Sequence, residues 1–307
     1  MKLILTDVPK YCPTEQPEGY CLKPVDINSV KEFNGNTEVE AILCSRSLAA
    51  ALEDLDLPSC RLVQLFSVGY DNIDLKYFKE KQIPLCNASG IYDNVLAEYV
   101  VYAMLLYAKR FHRSLKNRMF RIFRNYHYMT EIAGKTVGIL GCGRIGSAIA
   151  RHLSGFGVRL VGYAKTTTSK EGFDQIYNGA DIVNLFTESD FIVNALPHDE
   201  STIGLIDSSL LMHSKQDMTF INIGRESVFN GDDFYKYLKI NKDATAILDM
   251  FDILPNPITN KYRRLSNVLV MPRIAAISQE SGRILTELLE YNINACISGN
   301  ELKNRLV

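Results

Sequence analysis

The stretch KTVGILGCGRIGSAIARHL, residues 135–153, decides the reading of this chain. Thr136–Leu140 is a short apolar run with strand character, and SAIARHL after it has helical spacing. Between them Gly141, Gly143 and Gly146 form the pattern G-x-G-x-x-G. The pattern gains meaning from a strand before it and a helix after it. Gly141 allows the tight turn, Gly143 lets backbone approach a pyrophosphate, and Gly146 allows close helix-on-strand packing. The motif therefore predicts a dinucleotide site, with Arg144 and Ile145 opening the helix whose N-terminus faces the phosphates.

The next strand candidate, Arg159–Tyr163, bears on which dinucleotide. A carboxylate about twenty residues past the turn would hold the ribose hydroxyls of NAD. Here the strand runs into Ala164, Lys165, Thr166, Thr167 and Thr168. One cation and several hydroxyls suit a 2′-phosphate, so NADP(H) is preferred and NAD(H) is the second candidate.

Further strand candidates follow at Phe191–Ala195, Thr219–Ile223, Ala244–Asp249 and Val268–Met271, separated by helical or turn-rich pieces. This is a doubly wound unit. Upstream, the runs Lys2–Thr6, Val39–Cys44, Leu62–Phe66 and Ile83–Cys86 alternate with helical patterns near Ser47–Leu55 and Leu75–Lys81. The fold class is thus α/β, with two parallel-sheet units. A long helix is expected over Asn94–Lys116, and another from Ser278 onward, where Ile284, Leu285, Leu288, Leu289 and Ile293 recur at helical spacing.

Length and composition agree. The 307 residues suffice for about two domains, and 47% are hydrophobic. Thirty-four basic residues against 35 acidic ones give a net charge of −1, which predicts no nucleic-acid or membrane partner. The run from Val95 to Ala108 contains Glu98 and is too short for a bilayer. Seven scattered cysteines without a CxxC read as reduced core thiols, and no metal site is expected. The amino terminus, MKLILTDVPKY, lacks the apolar stretch of a signal peptide, so a cytoplasmic location is expected. Seven basic and no acidic residues lie between Lys109 and Arg124, which reads as a solvated face or one opposite an acidic partner.

Taken with SVGYDNIDL (67–75), IPLCNASGIYDNVLAEY (83–99), LPHDESTIGLI (196–206), FINIGRES (220–227), AILDMFDILP (246–255), VMPRIAAIS (270–278) and LKNRL (302–306), the chain resembles the D-isomer-specific 2-hydroxyacid dehydrogenases, among them glyoxylate/hydroxypyruvate reductases and phosphoglycerate dehydrogenases. The resemblance implies a Rossmann cofactor domain, residues 109–278, inserted in a flavodoxin-like substrate domain, residues 1–108 plus 279–307. It implies a homodimer, a small 2-oxo or 2-hydroxy acid as substrate, and cofactor contacts from Pro197, Ile223 and Asp249. It implies that Arg225 is the substrate-binding arginine and that the N–H groups of Val68 and Gly69 hold the substrate carboxylate.

The departures from the family pattern are as informative. Where its acid histidine would follow a proline, Pro272 is followed by Arg273, and where its partner glutamate would precede Pro255, there is Leu254. An arginine is a very poor proton donor. Glu226 also replaces the glycine expected after Arg225. Three readings stay open. In the first, the protein is an NAD(P)-dependent 2-oxo acid reductase in which Arg225 and Arg273 are the catalytic cations, and water, Tyr70, Tyr92 or His198 supplies the proton. In the second, the substrate carries a further anionic group for Arg273, or the reaction needs no proton there. In the third, the chain binds NADP(H) without turnover, as a sensor or interaction protein.

Overall fold

A computed structural model describes residues 1–110, 129–249 and 261–307. The chain divides into two compact units, one of Met1–Tyr92 with Ile277–Val307, the other of Asp93–Ala276.

In the first unit the strands are β1 (Lys2–Thr6), β2 (Tyr20–Pro24), β3 (Val39–Cys44), β4 (Leu62–Leu65) and β5 (Leu85–Cys86). They form one sheet in the order β2-β1-β3-β4-β5, with every pairing parallel. That is the flavodoxin-like order. Central β3, VEAILC, is buried along its whole length, as a strand covered on both faces must be. One face packs Leu5, Ile42 and Val63 against Leu48 of helix α1 (Arg46–Ala51) and Phe78 of α2 (Leu75–Glu80). The other packs Ile4, Ala41 and Leu43 against Leu285, Leu289 and Ile293 of the C-terminal helix, Gln279–Ser298. That helix starts at a Ser278–Ser281 capping box and ends on Gly299 at φ 71°. Its buried Asn292 donates to Gln64 Oε1 (2.6 Å) and accepts from Lys303 N–H (2.8 Å), which ties down the tail.

The second unit opens with α3 (Asp93–Ala108). Strands β6 (Thr136–Leu140), β7 (Arg159–Tyr163), β8 (Gln175–Tyr177), β9 (Phe191–Asn194), β10 (Thr219–Asn222), β11 (Thr245–Leu248) and β12 (Val268–Val270) follow. Their spatial order is β12-β11-β10-β9-β6-β7-β8, all parallel. Counted within the unit this is 7-6-5-4-1-2-3, the Rossmann order with one added strand. Helix α4 (Arg144–Leu153) and α3 cover one face, where Ala97, Val100 and Met104 meet Val137, Ile139 and Ile149. Helices α5 (Ile182–Glu188), α6 (Ser208–Leu211) and α7 (Gly231–Ile240) lie on the other, around Phe186, Phe220, Phe229 and Phe234. Among the described residues no helix is long and apolar enough to cross a membrane.

The unit boundaries fall at 92/93 and 276/277, not at the expected 108/109 and 278/279. The reason is α3, whose small and apolar residues pack on α4 and whose Tyr107 hydroxyl donates to Ala246 O (3.1 Å). Helix α1 ends at Ala51, earlier than expected, although Leu52 and Leu55 beyond it stay buried. The basic run beyond Arg110 lies outside the described residues, as does Leu254.

Candidate functional site

The glycine turn follows β6, and each of its glycines has a different reason to be there. Gly141 has φ +100°, a backbone that side chains rarely adopt, and an added Cβ would lie 3.2 Å from the Ala195 carbonyl. At Gly146 a Cβ would sit 2.1 Å from Gly141 O, a backbone atom that cannot yield. Gly143 differs, since a Cβ there would meet nothing within 4 Å. The fold does not require Gly143 to be bare, so the open space beside it fits a ligand. Gly143 is also the N-cap of α4 and supplies no capping side chain, which leaves the helix's first amides facing that space. The turn thus fits a pyrophosphate by shape and by dipole. Arg144, the first residue of α4, pairs its Nε with Asp93 (3.2 Å), and Ile145 is half-buried.

Beyond β7, Lys165 and Thr166 are exposed. The segment after them is fixed by Asn178, whose amide donates to Ala164 O (2.5 Å) and Thr167 O (3.1 Å). Lys165 lies near enough to Asp199 to help depress its carboxyl, although the hydrogen bonds from Ser201 act more strongly.

The remaining residues of this unit line up along the carboxyl ends of neighbouring strands. Asn194 ends β9 and Asn222 ends β10; both are fully buried, and Asn194 Nδ2 donates to Asn222 Oδ1 (2.7 Å). Asn194 Oδ1 accepts Leu196 N–H (3.1 Å) and Asn222 Oδ1 accepts Gly224 N–H (3.1 Å), so one pair fixes two turns. The first turn carries Pro197, which is exposed; the second carries Ile223 and Arg225, both half-buried. Gly224 is obligatory, because a Cβ there would approach Leu196 O to 2.8 Å. His198 Nδ1 and Ser227 Oγ, 2.7 Å apart, join the same two turns. The sequence reading missed Asn194, Asn222 and Gly224. Buried amides at the ends of two apolar strands, in FIVN and TFIN, are the signal that could have found them.

Asp249 follows β11 and is buried. Its two carboxylate oxygens accept the N–H groups of Ile274 and Ala275, each at 2.8 Å. Arg273 immediately before them has φ +56°, a left-handed conformation costing on the order of 1–3 kcal/mol in a non-glycine residue. Asp249 therefore holds the strained turn that carries Arg273.

In the first unit, Val68 and Gly69 lie beyond the end of β4. Asn87 Nδ2 donates to Val68 O (2.8 Å) and Ser67 Oγ to Gly69 O (2.7 Å). With their carbonyls held, neither N–H donates to a protein acceptor among the described residues. Tyr92 donates its hydroxyl to Phe66 O (2.8 Å), and burial pushes its pKa up to about 12, which suits structure better than proton delivery. Tyr70 is 41% exposed. Among the described residues no group of three or more His, Cys, Asp or Glu side chains is placed to hold a metal.

Comparison with known proteins gives this arrangement a lineage. Residues 100–275 match the model of the D-isomer specific 2-hydroxyacid dehydrogenase, NAD binding domain. A glyoxylate reductase of Korarchaeum cryptofilum is 30% identical over 78% of this chain and 73% of its own length. A glyoxylate/hydroxypyruvate reductase A of Arabidopsis thaliana is 28% identical over 95% of this chain and 90% of its own. Among solved structures, an NADPH-dependent glyoxylate/hydroxypyruvate reductase from Sinorhizobium meliloti superposes with a TM-score of 0.85 at 24% identity, covering 100% of this chain and 97% of that one. A family model spanning more than half of the chain and a relative of this similarity agree with the two sheets and the glycine turn, and the chain belongs to the D-isomer-specific 2-hydroxyacid dehydrogenase family.

Proposed function

We propose that this protein is an NADP(H)-preferring reductase of small 2-oxo acids, of the glyoxylate or hydroxypyruvate type, in which arginine replaces the usual acid. One observation carries the reading. The glycine turn, the Pro197 turn, the Arg225 turn, Asp249 and the Arg273 turn follow β6, β9, β10, β11 and β12, which are consecutive neighbours in one parallel sheet. Ligands of such sheets bind at that edge. The relatives named above are reductases of glyoxylate or hydroxypyruvate, which supports the substrate class, and the Sinorhizobium meliloti reductase has also been solved with NADP, which supports the coenzyme.

Bound NADPH would supply the hydride. The guanidinium of Arg225 grips the substrate carboxylate in a two-pronged manner. Arg273 stabilises the alkoxide that develops as the carbonyl is reduced. The proton then comes from water, or from His198, which its contact with Ser227 ties to the Arg225 turn. The protein works in this reading as a cytoplasmic homodimer, and the apolar surface of Val101, Tyr102, Leu105, Leu106 and Phe156, with Tyr102 54% exposed, supports a second copy on α3.

Purified protein, NADPH and a panel of glyoxylate, hydroxypyruvate and larger 2-oxo acids test the proposal. Turnover of roughly 1 per second or faster is expected. Arg225→Ala should lower kcat/KM about 10²- to 10³-fold while coenzyme Kd stays within about twofold. Tight NADPH binding with no turnover on any acid would replace this reading with that of a coenzyme-binding sensor.

A further inference from the structure

The loop after β7 does not end at Lys165. It returns to the glycine turn, where Lys170 Nζ donates to the carbonyl of Cys142, between Gly141 and Gly143, at 2.7 Å. We propose that Lys170 is the second cation of the coenzyme's 2′-phosphate subsite and sets the preference for NADP(H) over NAD(H); this rests on the reductase reading above.

Three features carry the assignment. First, the loop is built and pinned. Asn178 holds its Ala164 and Thr167 carbonyls, Ala164 N–H donates to Tyr177 O (3.1 Å), and Phe173 N–H donates to Lys170 O (3.2 Å). Second, the ribose nearest the turn lies between the glycines and the end of the second strand in this fold. Gly141 N–H joins those walls at the strand's end by donating to Tyr163 O (2.9 Å), and Lys170 joins them from the loop, bringing a cation to the turn. Third, the charges fit. An ammonium has three donors, and Cys142 takes one. Among the described residues no carboxylate lies within ion-pair distance of Lys170. Lys165 stands five residues earlier, with Thr166, Thr167, Thr168 and Ser169 between them and no acidic residue until Glu171. A phosphate monoester can engage both ammonium groups and the hydroxyls. A bare ribose hydroxyl gains much less from them.

The alternative role for Lys170 is a tie that merely keeps the turn in shape, and coenzyme binding separates the two. Calorimetric titrations with NADPH and NADH would be run on the parent, Lys170→Gln and Lys170→Arg. The parent should bind NADPH more tightly. Lys170→Gln should weaken NADPH by roughly 10- to 100-fold, the size expected of one charge-assisted hydrogen bond, and leave NADH within about twofold. Lys170→Arg should retain most of the preference. Titration with 2′,5′-ADP against 5′-ADP should repeat the pattern without the nicotinamide. Equal weakening of both coenzymes, or no change in either, overturns the role of Lys170 and leaves the reductase reading standing. A parent that prefers NADH, or binds neither coenzyme, overturns the coenzyme proposal itself.

Discussion

Two glycines three residues apart, Gly143 and Gly146, play opposite parts in the same turn. Gly146 is required by the fold, because its missing Cβ makes room for Gly141 O at 2.1 Å. Gly143 is not, because nothing of the protein occupies its Cβ direction within 4 Å. Gly146→Ala should cost about 1–3 kcal/mol of stability, as overpacking against rigid backbone does, and should abolish coenzyme binding along with it. Gly143→Ala should unfold at a urea concentration close to the parent's and still lose at least about tenfold in NADPH affinity, since a methyl there would occupy the phosphate's approach. Equal destabilisation by the two substitutions would mean that the turn is held by packing alone. Arg273 shows the same separation of roles. Its left-handed backbone is secured by Asp249, so a residue expected to contact the cofactor also anchors the Arg273 turn.

At the scale of elements, Asp190 links the starts of two central strands. It precedes β9, its carboxylate accepts Thr136 N–H of β6 (2.8 Å), and it pairs with Lys215 (3.0 Å) and Lys135 (3.5 Å). Burial pushes its pKa up, yet the Thr136 amide and Lys215 outweigh burial and leave it below the ordinary carboxylate value. A carboxyl lowered by folding contributes stability above the ordinary carboxylate pKa and loses it as pH falls through the lowered value. Asp190→Asn should therefore destabilise the protein by about 1–2 kcal/mol at neutral pH, and the gap to the parent should close below about pH 4. A gap that persists in acid would assign the loss to geometry instead of charge. Sequence resolved the buried strands well, because β3, β6, β7 and β9 are each built mainly of apolar residues. It missed β2 and β8, two of the four edge strands, whose residues are mostly half-buried or exposed and leave no such run. Within the site, glycines and arginines were legible because their types announce their chemistry. The Asn194–Asn222 pair and the Lys170 tie were not, because each depends on partners 28 residues away.

At the scale of the whole molecule, the described residues form two sheets, each with its own core. Phe78, fully buried among Leu48, Leu52 and Leu65, belongs to the first. The glycine turn belongs to the second. A ligand stabilises the structure that binds it by RT ln(1 + [L]/Kd), about 2.7 kcal/mol at 100 times Kd. NADPH at that level should slow hydrogen exchange in β6 and β9 by up to about 100-fold, for amides that exchange through unfolding of their unit. Amides of β3 and β4 should keep their rates within about twofold. Phe78→Ala should act in the opposite sense, costing about 3–5 kcal/mol in the first core, speeding exchange in β3 and β4 and leaving coenzyme Kd nearly unchanged. If NADPH protects β3 and β4 as strongly as β6 and β9, the two cores do not open independently. The turn's binding energy would then be shared across the entire chain, and the division into a coenzyme-holding sheet and a separately stabilised partner sheet would fail.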